Sequence, residues 1–329
     1  MSSGVGRMIS IVLIGVLLIG AFVLFRTESL TEHSSSLVLR RVTDSAGRTV
    51  VIPSRPQRVI VLNASNLDLF YAAGGTVIGK PTTEALSDAV KAATASVPAV
   101  GMTASPDIEK MIALKPDLVL GVNVAPHHQL VPVLEKAGIP ILLQALDNYQ
   151  QILDTLYFYG ELTGEAEQAA AAVSRIETGY KQLMDRSSEE RPPVKALIVV
   201  GSTESFSMAT SNSFAGDLMR KLGAQNIADG QDGIRQKMNY LPLSLEYVSK
   251  SNPDVILIIT RGSDRRAGEK ISTELISHPA WQGLKAVKNN RVHQLPYHLF
   301  AVNPGTRVSE ALIILDRLIY VEGGALSDT

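Results

Sequence analysis

Glu109-Lys-Met-Ile-Ala-Leu-Lys-Pro116-Asp117-Leu-Val-Leu120 is answered far downstream by Glu246-Tyr-Val-Ser-Lys-Ser-Asn-Pro253-Asp254-Val-Ile-Leu257. In both stretches a Glu precedes an Asp by eight residues, Pro stands directly before that Asp, and an apolar run rich in β-formers follows. Pro cannot continue a helix and disfavours helical backbone in the residue before it. Each copy therefore reads as one helix, a stop and a buried strand. Ser105-Pro106 ahead of the first copy and Ser244 ahead of the second supply N-cap signals, and Pro106 suits a first helical position. A helix–Pro–Asp–strand unit that occurs twice predicts two similar α/β lobes, and the seam between two lobes predicts a ligand cleft.

Strand and helix patterns alternate outward from both copies. Residues 42–52 read as a hairpin turning at Ser45-Ala-Gly47, residues 58–62 as a strand, and 63–66 as the opening of a helix. Residues 77–80 read as a second strand, 118–122 as the strand of the first copy, 128–137 as a helix, and 141–143 as a further strand. Residues 148–185 are helical in pattern, punctuated at Gly160 and Gly164; the Pro-free part, 165–185, would be roughly 30 Å long. After the polar, Pro-rich stretch 187–193 come a strand at 195–200, a helix at 213–222, a strand at 255–260, a turn and strand at 286–295, and a closing helix at 307–320. The expected organisation is an α/β lobe at 38–147, connecting helices at 148–186 and a second α/β lobe at 187–329, each with a parallel sheet covered on both faces.

The chain has 329 residues, 45% of them hydrophobic, which is enough for two lobes. A net charge of −1 gives no footprint for nucleic acid. The absence of Cys removes disulfides, thiolate metal sites, Fe–S clusters and thiol nucleophiles. Residues 8–25 are uncharged and apolar apart from Ser10, with Arg7 before them and Arg26 after. Such a run spans about 27 Å as a helix, enough for a bilayer core. It has no Ala-x-Ala-like exit and no lipoprotein Cys. Residues 1–26 are therefore expected to be an uncleaved signal anchor, ahead of a cleaved signal, and 27–37 a tether; the flanking arginines balance and leave orientation open.

Several motifs carry a family resemblance: Asp44-x-x-Gly47-Arg48 with Pro56-x-Arg58-Val59, Gly101-x-x-x-Ser105-Pro106-Asp107-x-Glu109, the two Pro-Asp turns, and Ala286-Val-Lys-Asn-Asn-Arg291-Val292. In order and spacing they resemble the substrate-binding proteins of ABC importers for iron chelates, haem and cobalamin. The resemblance implies the class III periplasmic-binding-protein fold, in which two α/β lobes are joined by one long rigid helix, matched here by 165–185. It implies a monomer without catalysis, held outside the cell membrane and working with an ABC permease and its ATPase. It also implies that Glu109 and Glu246, one per lobe, dock into basic pockets of the permease. A carboxylate in a first helical turn also complements the helix dipole, by about 0.3–1 kcal/mol. Exposed ion pairs contribute only about 0–1 kcal/mol each, so such docking would set register and encounter rate more than affinity.

Ligand contacts belong on the loops that follow the carboxyl ends of the strands. Those are 63–66, 80–83, 101–105, 122–128, 202–205, 238–240, 261–266 and 296–303. Met102, His127, His128, Tyr240, Arg261, Tyr297 and His298 are the ligand candidates on them. The stretch Ala209-Thr-Ser-Asn-Ser-Phe-Ala-Gly-Asp217-Leu is most similar to haem-binding members of the family from Gram-positive surface uptake systems. Those hold haem iron with a Met and a His, and the matching positions here are Ala104 and Arg261, neither of which is an axial ligand. Met102 and His128 are the candidate iron donors in their place; a Met packing a loop and a solvated His at a helix start are the plainer alternatives. Arg261, Arg265, Arg266 and Lys270, offset by Asp264 and Glu269, form a basic cluster suited to haem propionates or an anionic siderophore. No GxSxG, P-loop or strand-borne GxGxxG is present, and Glu204 and Asp147 have no evident partner for acid–base work. A bare Zn²⁺ or Mn²⁺ site would need about three converging His and a carboxylate. The expected cargo is an iron chelate, with haem leading and a siderophore or cobalamin as alternatives; a membrane-anchored sensor of the same fold is a further reading.

Overall fold

In the computed structural model, residues 38–186, 193–201, 205–230, 237–260, 273 and 277–321 are described. The apolar run at 8–25, the tether, Glu204 and the cluster Arg261, Arg265, Arg266 and Lys270 lie outside them. Among the described residues no helix is long and apolar enough to cross a membrane.

Alternating burial in β1 (Leu39–Thr43) and β2 (Thr49–Pro53) makes an antiparallel hairpin with Val50 and Ile52 inward. Its turn is held by Asp44, whose carboxylate accepts the N–H groups of Ala46 and Arg48 at 3.0 Å each and pairs with the Arg48 guanidinium at 2.6 Å. The same two side chains reach the Ile141 carbonyl and the Leu143 N–H. Asp44-x-x-Gly47-Arg48 is thus a turn clamp that fastens the hairpin to the strand at 141–144, with Gly47 at φ +76°.

β3 (Val59–Val61), β6 (Leu118–Val122) and β7 (Ile141–Gln144) form a parallel sheet in the order β3-β6-β7. Between β3 and β6 lies a two-residue antiparallel pair, β4 (Gly101–Met102) with β5 (Ser105–Pro106). Residues 77–80, expected as a strand, are reduced to two isolated parallel bridges, Ile60 with Gly79 and Lys80 with Ala99. Gly79 offers no side chain to pack and Pro81 no donor, so a longer ladder cannot form.

The helix Tyr149–Thr163 ends at Gly164 (φ +82°), and the helix Ala166–Arg186 follows at once. Gly160, read as punctuation, lies inside the first helix. A Cβ there would sit 2.5 Å from that of Ala169, so the glycine permits the two helices to pack closely.

The second sheet contains β8 (Lys195–Gly201), β9 (Phe206–Ala209), β10 (Gln225–Asn226), β11 (Tyr240–Pro242), β12 (Val255–Thr260) and β13 (Val292–Gln294). Its order is β11-β9-β8-β12-β13, with β10 on the start of β8. The expectation of an all-parallel sheet is corrected here: β9 runs antiparallel to β8, and β11 antiparallel to β9. Only residues 202–205 join β8 to β9, and a connection that short admits a hairpin but no crossover helix.

Side chains of both sheets alternate between two apolar layers. Val59, Val61, Leu118, Leu120, Ile198 and Leu257 share one central cluster with the helices Tyr149–Thr163, Ala166–Arg186 and Val308–Tyr320. Ile60, Val119 and Ile141 pack outward against Leu130 and Leu134, while Leu197, Ile256 and Ile258 pack outward against Trp281.

The repeated phrase has one structural meaning in both places. The first-copy helix is Ile108–Ala113, capped by Asp107, which accepts the Lys110 N–H at 3.0 Å. Ser105 and Pro106, expected at the cap and first turn, form β5 instead, because Pro106 is paired with Gly101. The second-copy helix is Leu245–Ser251, capped by Ser244 as read. Lys115 (φ +48°) and Asn252 (φ +45°), each directly before Pro, turn the chain out of helical backbone. Asp117 then accepts the N–H groups of Gln57 and Arg58 at 2.7 and 2.9 Å, at the entry to β3. Asp254 accepts the Lys195 N–H at 2.8 Å, at the entry to β8, and pairs with Lys285. Each Asp secures the first donors of the neighbouring parallel strand.

Asp117→Ala or Asp254→Ala is expected to cost about 1–3 kcal/mol in thermal or denaturant unfolding, the usual cost of orphaned donors. Burial raises the Asp254 carboxyl, but the Lys285 ammonium and the Lys195 N–H outweigh it and hold the group below the usual carboxylate range. A lowered folded pKa contributes stability above the unfolded value, near 3.9, and loses it as pH falls through the folded value. The stability gap between wild type and Asp254→Asn should therefore narrow below about pH 4; a gap independent of pH would contradict this role.

Candidate functional site

The carboxyl ends of β3, β6 and β7 open onto a cleft of about 660 Å³. One wall is built from residues 63–65, 82–84, 102–104, 122–124 and 144–147, and the other from Phe214, Tyr240, Tyr297 and residues 300–303. Met102, at the tip of the β4–β5 pair and 56% exposed, lines the cleft, as do Tyr240 and Tyr297. Phe214 and Phe300, not singled out in the sequence, add two further rings to the second wall.

The histidines stand elsewhere. His127 is fully buried in the first turn of the helix Ala125–Lys136. Its Nδ1 accepts the Val122 N–H at 2.9 Å, which puts the proton of the neutral ring on Nε2. An iron-ligating Nε2 needs the opposite tautomer and the loss of that bond, so His127 is corrected from ligand candidate to a support beneath the cleft wall. Burial pushes its pKa down, and the Thr103 backbone lies beside it. A Cβ on Gly121 would approach His127 Nδ1 to 3.0 Å, so the glycine makes room for the ring. His128 is exposed, with Nε2 2.6 Å from Asn123 Oδ1; Asn123 lines the cleft and His128 does not. His298 is exposed outside the lining, its pKa lowered by burial and then by Arg307. Arg261 lies outside the described residues. Glu109 and Glu246 are both exposed, each in the first turn of its helix. No group of three or more His, Asp or Glu that could hold a metal ion occurs among the described residues.

The cleft electrostatics come from backbone as much as from side chains. Glu84 and Asp147 line it, and no Lys or Arg does among the described residues. Burial raises the Asp147 pKa. Opposite in sign is the start of the helix Ala64–Ala72, where the N–H groups of Ala64, Ser65 and Asn66 have no acceptor among the described residues. Four unpaired N–H groups and the aligned peptide dipoles make a helix start equivalent to about half a positive charge. Asn63 occupies the N-cap in extended backbone yet makes no capping bond; it is 7% exposed, lines the cleft, and its Oδ1 has no partner. The loop 63–66 was readable as cleft-side in the sequence, but nothing in its residue types marks the uncapped amide.

An open α/β architecture with a ligand-sized cleft across the carboxyl ends of its strands puts a ligand-binding site at that cleft. The chain belongs to the periplasmic binding protein family, whose model matches residues 59–299. It is 24% identical over 306 residues to the high-affinity heme uptake system protein IsdE of Staphylococcus aureus, covering 93% of this chain and 96% of that one. The crystal structure of S. aureus IsdE complexed with heme superposes with a TM-score of 0.70 at 22% identity, covering 80% of this chain and 98% of that one. S. aureus SirA complexed with staphyloferrin B superposes with a TM-score of 0.68 at 21% identity, covering 85% and 97%.

Proposed function

We propose that this chain is the substrate-binding component of an ABC importer, capturing an iron chelate with anionic edge groups and delivering it to a permease driven by its ATPase. The observation that carries the reading is the uncapped start of the helix Ala64–Ala72 with the unpartnered Asn63 Oδ1, opening into a cleft rimmed by four aromatic rings. Free helix-start N–H groups take an oxyanion, and Asn63 can present Nδ2–H to the same group after a half-turn of its amide. The rings and Met102 suit a flat, largely apolar body. Haem combines such a body with two carboxylates and leads for that reason, as does the similarity to a heme uptake protein.

Met102 is the proposed iron donor. His128 could join it only by giving up Asn123. That no His lines the cleft among the described residues favours a carboxylate-bearing ferric siderophore as the second reading, with cobalamin after it. Exposure of Glu109 and Glu246 on the duplicated helices supports their docking to the permease, and residues 1–26 and 27–37 serve as anchor and tether. The partition at 38–147, 148–186 and 187–329 belongs to the same proposal, with the packed helix pair between the sheets as a stiff connector.

The test is titration of the full chain with haemin, a ferric carboxylate siderophore and cobalamin, followed by absorbance. Haemin is expected to bind with a shifted Soret band that Met102→Ala alters. Sub-micromolar siderophore binding without a Soret shift would transfer the assignment to the siderophore, and failure of all three would overturn the transport reading.

A further inference from the structure

The aromatic wall at 297–303 follows β13 in the chain and so belongs by sequence to the second sheet, yet its far end is bonded to the first. Ser65 Oγ donates to the Asn303 carbonyl at 2.6 Å, and Asn303 Nδ2 donates to the Leu146 carbonyl at 2.8 Å. The N–H and Oγ of Thr306 both donate to Asp68 Oδ2 at 2.7 Å, across 238 residues of chain. The Arg307 guanidinium donates to the Ala85 carbonyl at 3.0 Å. Asp68 is 8% exposed, and its contacts are neutral donors, Thr306 and, at 3.4 Å, Ser87. Gly305 passes so close that a Cβ would lie 2.5 Å from Asp68 Oδ2, and its φ of +61° lies in the left-handed region that favours glycine. A buried carboxylate, a glycine and four more hydrogen-bonding groups converge on one short strap of chain.

We propose that Asp68 is a positioning residue for ligand capture: it fastens the strap 301–307, and through it the wall carrying Tyr297 and Phe300, to the first sheet's side of the cleft. Any relative movement of the two sides then leaves this wall in place. The inference rests on the reading of the cleft as the ligand site. It assigns the support of one wall of that site, so affinity depends on a group that lines none of it.

The test compares Asp68→Ala and Asp68→Asn with Thr163→Val. The last removes the bond from Thr163 Oγ1 to the Ala73 carbonyl at the opposite end of the same helix. Amide hydrogen exchange in the unliganded full chain should quicken about tenfold or more at 301–307 in Asp68→Ala, with β13 unchanged. The Kd for haemin should rise about tenfold, as for one well-formed hydrogen-bond group lost, with partial rescue in Asp68→Asn. Thr163→Val should lower thermal stability and move neither quantity. Unchanged exchange at 301–307 in Asp68→Ala, or an equal loss of affinity in Thr163→Val at matched stability, would overturn the proposal. If wild type binds none of the chelates the functional reading falls, and the exchange data still decide whether the strap is held by Asp68.

Discussion

Asn63→Asp should abolish capture of an anionic chelate while leaving the fold intact. The position is an N-cap at which Asp is as suitable as Asn, and a carboxylate there gains about 0.3–1 kcal/mol from the helix dipole. Burial of the position opposes that gain, so the melting temperature should move by only a few degrees. The effect on ligand has the opposite character. A carboxylate facing a ligand carboxylate, in a cleft already lined by Glu84 and Asp147, replaces a favourable oxyanion site by a repulsive one. Affinity for haemin should fall at least about 100-fold, or roughly 2.7 kcal/mol, and Asn63→Ala should lose closer to tenfold. Undiminished haemin binding by Asn63→Asp would mean that no anionic group of the ligand sits at this helix start. Loss of affinity together with collapse of the melting transition would make the residue structural only.

The largest stability effect is expected at Gly216. A Cβ there would lie 1.9 Å from the Thr210 carbonyl oxygen and 2.6 Å from its carbon. That carbonyl cannot move aside, since it accepts from the Ser213 N–H and Oγ while Thr210 N–H and Oγ1 donate to the carbonyls of Asn239 and Met238. Ala gains about 1 kcal/mol over Gly in helix propensity, but the backbone collision outweighs this. Gly216→Ala should cost about 3 kcal/mol or more, lowering the melting temperature by roughly 5–10 °C. Gly283 has φ −74° and nothing within 4 Å of a built Cβ, so Gly283→Ala should be near neutral in the same assay. Equal melting temperatures for the two variants would refute the collision. The glycine in Phe214-Ala-Gly-Asp is therefore needed for the turn beneath Phe214, a cleft residue.

The resemblance-bearing motifs were legible because they do local backbone work. Arg58 donates to the carbonyls of Leu114 and Lys115 at the end of the helix Ile108–Ala113. Arg291 does the same at Leu318 and Ile319 near the end of the closing helix. Asp44, Asp117 and Asp254 satisfy strand and turn donors in the same manner. Such roles demand a given side chain at a given spacing, which is what a pattern preserves. The site was legible only as a set of loops. His127 and His128 are adjacent on a helix and so about 100° apart around its axis, and one is buried while the other is exposed. Their shared residue type could not separate them. The free N–H groups of Ala64, Ser65 and Asn66 belong to the backbone and leave no trace in residue identity. The reversal of β9 depended on connection length rather than on its apolar pattern, which reads alike in either direction.

One apolar cluster runs without a break from the inner face of the first sheet, through the packed helices, to the inner face of the second. The inner face of each sheet is covered by helices that both share, so the two sheets are expected to melt in one transition. A chelate bound at the rim would then raise the melting temperature of the whole body by mass action.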